Sequence, residues 1–191
     1  MKSIISQIEN LSNDTTKVRL YKHNNPLVIF KNAGKVPGGL DKEYMLFLTE
    51  TNGASIFDYC FLGFKNKSLG LNLYENVMDF WQADNSLAVK FWAFAGTSFG
   101  EAFGYLDLKN NKGSHFIGRY DINQPGKVTI IASSFTLFMI DFINRIKPLA
   151  DASDECHWIN EFSWKNSNVD DIELQEHLKI YNSNEYNLKS S

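Results

Sequence analysis

The sequence predicts an α+β domain in which a largely antiparallel β-sheet packs against helices. Three observations predict it. Residues 87–132 hold four strand-like runs in succession, each with side chains alternating at a period of two. The connections between them are too short to hold a crossover helix, which leaves antiparallel pairing. A helix with one apolar stripe, over residues 134–147, closes the series and needs a sheet to cover. The chain has 191 residues, 43% of them hydrophobic and 14% aromatic, so a single domain can bury a core without staples.

The elements follow in order. Ile4, Ile5, Ile8 and Leu11 recur at helical spacing and predict a helix over residues 2–11. Residues 18–22 and 27–30 read as two short strands, with His23, Asn24, Asn25 and Pro26 as the turn between them. A loop follows over residues 33–39. Asp41 is placed to cap the next helix, whose buried stripe is Leu40, Tyr44, Phe47 and Leu48. Asn52 and Gly53 end it, with Gly53 in the left-handed C′ conformation. Residues 55–64 read as an aromatic strand. Leu73, Val77, Phe80 and Trp81 predict a helix over residues 72–82.

Residues 87–94 are apolar in both phases, the pattern of a central strand covered on two faces. Gly96, Thr97, Ser98, Phe99 and Gly100 turn the chain. Strands over residues 101–108, 114–122 and 127–132 follow, joined by Asn110-Asn111-Lys112-Gly113 and Asn123-Gln124-Pro125-Gly126. Ser133 or Ser134 can cap the closing helix. Its stripe is Phe135, Phe138, Met139, Phe142, Ile143 and Ile146, and Pro148 is expected to end it. Residues 1–148 are therefore read as the domain and 149–191 as a C-terminal extension docked on it. In the extension, Asp151, Asp154 and Glu155 form an acidic loop, and residues 157–164 an aromatic stretch. A terminal helix over residues 169–181 packs through Ile172, Leu178 and Ile180, and a frayed polar tail follows.

Composition narrows the function. A net charge of −3 lacks the excess of basic residues that nucleic-acid binding requires. Two cysteines, Cys60 and Cys156, make no disulfide framework and no CxxC pair, as in a reducing cytoplasm. The N-terminal apolar stretch is broken by Ser6, Gln7, Glu9 and Asn10, so it is no signal peptide, and no run reaches the ~20 apolar residues of a membrane span. A cytoplasmic protein without membrane contact is expected.

Catalytic and cofactor motifs fail on inspection. Gly126-Lys127-Val128 has Asp121 where a phosphate loop needs Gly, and Val128 where it needs Ser or Thr. His23, His115, His157 and His177 are scattered without zinc-site spacing. Cys60, between Tyr59 and Phe61, reads as packing, and no G-x-S-x-G elbow occurs. No catalytic, metal or cofactor residue is assigned. A charged set remains. Glu101, Tyr105 and Asp107 share one face of a strand; His115, Arg119 and Asp121 share a face of the next, so Arg119 can pair with Glu101 or Asp107. That face is either solvated, with cross-strand ion pairs, or a charged and aromatic recognition surface; an acid–base dyad is a third reading. Phe99 and Tyr105, beside turn glycines and charges, are expected to be partly exposed and to serve as anchors. The candidate protein interface is Phe99, Glu101, Tyr105, Asp107 and Arg119.

The run Pro37-Gly38-Gly39-Leu40-Asp41-Lys42-Glu43-Tyr44-Met45-Leu46-Phe47-Leu48, followed by Thr51-Asn52-Gly53, resembles the opening motif of the SUKH superfamily. That superfamily, of SMI/KNR type, comprises bacterial toxin-immunity proteins and fungal cell-wall-assembly regulators. The stretch from Gly100 and Glu101 to Leu108 is similar to its Gly-Asp-aromatic strand, with Glu101 where Asp is commoner. Gly126-Lys127-Val128 and Ala132-Ser133-Ser134-Phe135 resemble its closing strand and helix. The resemblance covers residues 35–146 and rests on Pro37, Tyr44, Asn52, Gly53, Gly100, Ser133, Ser134 and Phe135 as structural positions. It implies a SUKH-like fold and a non-enzymatic protein-binding module without a cofactor. The partner it implies is a cognate toxin domain of a bacterial polymorphic-toxin system, neutralised by direct binding. A regulatory scaffold is the alternative. An enzyme of unrecognised type is the remaining one, and would show a deep pocket with convergent polar groups.

Overall fold

Turn chemistry decides the topology. Within the central segment each strand is followed by a tight connection and pairs antiparallel with the next. The computed structural model describes residues 1–12, 17–22, 25–64, 72–150, 159, 164 and 170–188. Its strands are β1 (Val18–Leu20), β2 (Ala54–Ile56), β3 (Tyr59–Phe61), β4 (Phe91–Thr97), β5 (Glu101–Lys109), β6 (His115–Asp121), β7 (Lys127–Ala132) and β8 (Glu185–Asn187). They form one eight-stranded antiparallel sheet in chain order. The described helices are α1 (Lys2–Glu9), α2 (Pro26–Ala33), α3 (Lys42–Glu50), α4 (Leu73–Ala83), α5 (Phe135–Ala150) and α6 (Ile172–Tyr181). The molecule is thus α+β, with an antiparallel sheet packed on helices.

The helix caps act as predicted. Asp41 Oδ1 accepts from the backbone N–H of Glu43 (2.8 Å) and Tyr44 (3.1 Å), which starts α3. Ser134, not Ser133, caps α5 by accepting from Leu137 N at 3.3 Å. The two helix starts are also tied to each other. Glu43 accepts from Thr136 N (2.6 Å) and from Ser114 Oγ (2.9 Å), so a carboxylate sits at the positive end of α5. Between α3, α5 and the sheet, the Tyr44 ring lies 5.1 Å from both Phe94 and Phe135, and its hydroxyl donates to the carbonyls of Leu62 and Phe94. The α5 stripe of Phe135, Phe138, Met139, Phe142, Ile143 and Ile146 is buried throughout.

Several expectations need correction. Residues 27–30 are helix, not strand: Asn25 accepts from Leu27 N at 2.9 Å and Pro26 occupies the first turn, a start signal that outweighs the β-branched Val28 and Ile29. Residues 55–64 are not one strand but the hairpin of β2 and β3, turned at Phe57 and Asp58 with Phe57 at φ 50. The strand expected from residue 87 begins at Phe91. Asp84 caps a 3-10 turn over Asn85–Leu87, and Val89, at φ 54, breaks the extended run. Helix α5 continues past Pro148 to Ala150, because a proline in the last turn removes one hydrogen bond and leaves the packed stripe untouched. In α6, Leu174 is the buried residue, while Ile172 and Ile180 face solvent. The tail is not frayed through residue 188: β8 pairs with β7, and Leu188 is buried. The turn at His23 and Asn24, the acidic loop at Asp151, Asp154 and Glu155, Cys156 and His157 lie outside the described residues.

One carboxylate joins α4 to the far turn of the sheet. Asp84 accepts from Ser86 N and Oγ, from Gly126 N at 2.9 Å and from Tyr120 Oη at 3.0 Å. Desolvation pushes its carboxyl up, but the bonds from Ser86 and Gly126 outweigh that and hold it below its ordinary value. Asp84→Ala is expected to lower stability by ~1–2 kcal/mol at neutral pH. A lowered folded pKa adds stability above the unfolded value of about 3.9, lost as pH falls through the folded one. The gap between wild type and variant should therefore close below about pH 4, which urea titrations at pH 7 and pH 3 check.

Candidate functional site

The alternation of β5 places Glu101, Phe103 and Tyr105 on one face, and α5 covers that face. The Phe103 ring lies 5.6 Å from Phe138 and 5.1 Å from Trp164. Arg119 stands opposite Phe103 and so diagonal to Glu101. Its Nε donates to Glu101 Oε1 at 2.7 Å, and its Nη2 donates to the same oxygen. Both side chains are buried, at 4% and 5% exposure for the residues. The cross-strand ion pair read from the sequence exists, but the solvated face around it does not: helix and aromatic rings lie over it.

Tyr105 is also buried, against the expectation of partial exposure. It stacks on Trp92 at 5.4 Å and donates its hydroxyl to Gly39 O at 2.8 Å. Burial pushes its phenol far above the ordinary value. Trp92 Nε1 donates to Pro37 O, so the two rings clamp the Pro37–Gly39 turn. Gly38, at φ 81, is required there, since a Cβ would sit 2.5 Å from the Trp92 ring.

Phe99 and Asp107 offer their side chains to solvent. They lie toward opposite ends of β5, and Glu101 and Asp107 are six strand positions apart, roughly 20 Å. The five candidate interface residues therefore divide. Phe99, Glu101 and Arg119 belong to the turn end of the sheet. Tyr105 and Asp107 border a second hollow of about 290 Å³ beside Gly39, Val89 and His115.

Sequence reasoning missed the larger concavity, a groove of about 460 Å³ at the turn end. The β2–β3, β4–β5 and β6–β7 turns and α4 enclose it, with Phe57, Asp58, Cys60, Phe80, Gly100 and Ile122 in its wall. Gly100 makes this close approach: at φ 89, any Cβ would lie 2.5 Å from Ile122 Cγ2, and Gly100 O accepts from Ile122 N at 3.1 Å. The available clue was Ile122, an apolar residue placed directly before a polar turn. Burial pushes the Cys60 thiol up, more strongly than its bond with Ser55 lowers it, so it is an unreactive wall residue at neutral pH.

Among the described residues, no group of three or more His, Cys, Asp or Glu side chains could hold a metal ion. No helix among them is long and apolar enough to cross a membrane. The domain is an antiparallel meander whose helices are tied at their starts by Asp41, Glu43 and Ser134. The sequence model of the SMI1 / KNR4 family (SUKH-1) matches residues 38–141, more than half of the chain, and the chain belongs to that family. The match runs from the Gly38 turn to the middle of α5, so α6 and β8 lie beyond it. The family is of immunity and regulatory type, and membership implies a protein-binding role. No curated protein matches the sequence.

Proposed function

We propose that this chain is a non-enzymatic immunity protein of bacterial origin. It acts in the cytoplasm by binding the toxin domain of a polymorphic-toxin system and blocking it. Membership of the SMI1 / KNR4 family (SUKH-1) carries this reading. The exposed Phe99 beside the turn-end groove supports it, as an aromatic anchor of the kind interfaces use. The interface proposed is Phe99 at the surface, with the Glu101–Arg119 pair fixing the strands beneath it and Tyr105 and Asp107 at the far edge.

Growth rescue tests the proposal. The toxin domain encoded beside this gene is expressed in a sensitive host with and without this chain. Restored growth and a stable one-to-one complex are the expected result. Toxicity without rescue, together with several weak partners in a pull-down, would assign the chain to the regulators of the family instead.

A further inference from the structure

We propose that the turn-end groove receives a basic loop of the partner protein: an arginine or lysine flanked by apolar side chains. The inference rests on the protein-binding reading above and adds where the partner docks and what it presents. The groove's walls are largely carbon, from Phe57, Leu62, Phe80, Ala95 and Ile122. Ile122 in that wall is 51% exposed, and Phe99, 55% exposed, sits in the turn between the lining residues Ser98 and Gly100. A small molecule inside the groove would reach Ile122 and leave Phe99 outside it. A protein loop covers both, and large apolar groups at a rim are what such a loop buries.

Charge sets the sign of the occupant. The charged residues among the described lining are Asp58 and Glu101, and both are acidic. Glu101 is matched by the buried Arg119, which leaves Asp58, half-buried at the β2–β3 turn, as the groove's own charge. Asp121 lines a separate hollow with Arg119 and Lys127, and Asp79 next to Phe80 does not line the groove, so Asp58 alone sets the sign. Lys17 meets Phe57 through its backbone carbonyl but does not line the groove. A carboxylate among aromatic walls fits a guanidinium best, since the cation gains both the charge and the ring faces. Acidic or neutral loops would bury Asp58 without a partner.

The test selects ligands from a random dodecapeptide library displayed on phage, with the immobilised full chain as bait. Recovered peptides are expected to carry net positive charge, with Arg or Lys next to Leu, Phe or Trp. Asp58→Lys and Ile122→Lys should each weaken the best peptide ~10-fold, while the thermal midpoint stays near that of the wild type. Recovery of neutral or acidic peptides, of none, or of peptides that both variants bind equally would overturn the proposal. The same variants separate it from the functional reading. A toxin complex whose affinity Asp58→Lys leaves unchanged removes the groove and keeps the immunity function. Groove-specific basic peptides without any toxin complex do the reverse.

Discussion

Arg119→Met should destabilise the protein by about 3–5 kcal/mol, the largest effect expected of any single substitution outside the aromatic core. It takes the guanidinium away from the Glu101 carboxylate, whose residue is 4% exposed and shares the face of Phe103. The desolvation cost of that carboxylate is the penalty, more than the lost attraction. The double variant Glu101→Leu with Arg119→Met should therefore recover part of the loss, because neither member of the pair remains to be buried. Urea denaturation of the two variants decides the matter. A loss below ~1 kcal/mol in the single variant would mean that the pair is solvated, as surface pairs are.

The second large effect belongs to Gly53→Ala, at about 3 kcal/mol. The sequence places this glycine at a helix C′ position, but α3 ends at Glu50 with Thr51 extended, so a C′ cap is not its role. Gly53 has φ 91 because the chain turns there against the backbone of β3. An added Cβ would lie 2.4 Å from Phe61 O and 3.0 Å from Gly63 N. Left-handed strain of ~1–2 kcal/mol and overpacking of ~1–3 kcal/mol act together. Its neighbour locks the same junction: Asn52 Nδ2 donates to Phe64 O and Phe64 N donates to Asn52 Oδ1, both at 2.9 Å. Asn52→Ala would orphan both backbone groups in a fully buried place, at ~2–4 kcal/mol for the pair. Calorimetry should show a midpoint drop of roughly 6–12 °C for Gly53→Ala, at ~2–4 °C per kcal/mol in a chain of this size. An unchanged midpoint would show that the β3 backbone can move aside.

What was legible in the sequence follows from the range of the interactions concerned. The caps at Asp41 and Ser134 and the α5 stripe depend on residues within a few positions, and all three were readable. The hairpin at Phe57 and Asp58 was not, because a phenylalanine at φ 50 carries none of the usual turn chemistry. Nor was the start of β4, where Val89 lies in the left-handed region against the preference of a β-branched residue. The Glu101–Arg119 contact was legible as a cross-strand pair, while its burial was not, because the covering residues Phe138 and Trp164 come from distant segments. The groove is the extreme case. It is assembled by three turns and one helix, and local pattern indicates only that Ile122 is oddly placed.

The sheet's two border strands, β1 and β8, are three residues each. An approaching polypeptide that tried to extend the sheet would find only a few free amides and carbonyls at either side, too few for a stable added strand. Short borders also deny neighbouring copies a template for stacking. Affinity for a partner that met this sheet would thus fall to side chains and not to added strand pairing. Such a surface can exchange specificity residue by residue while the hydrogen-bonded ladder beneath it stays the same.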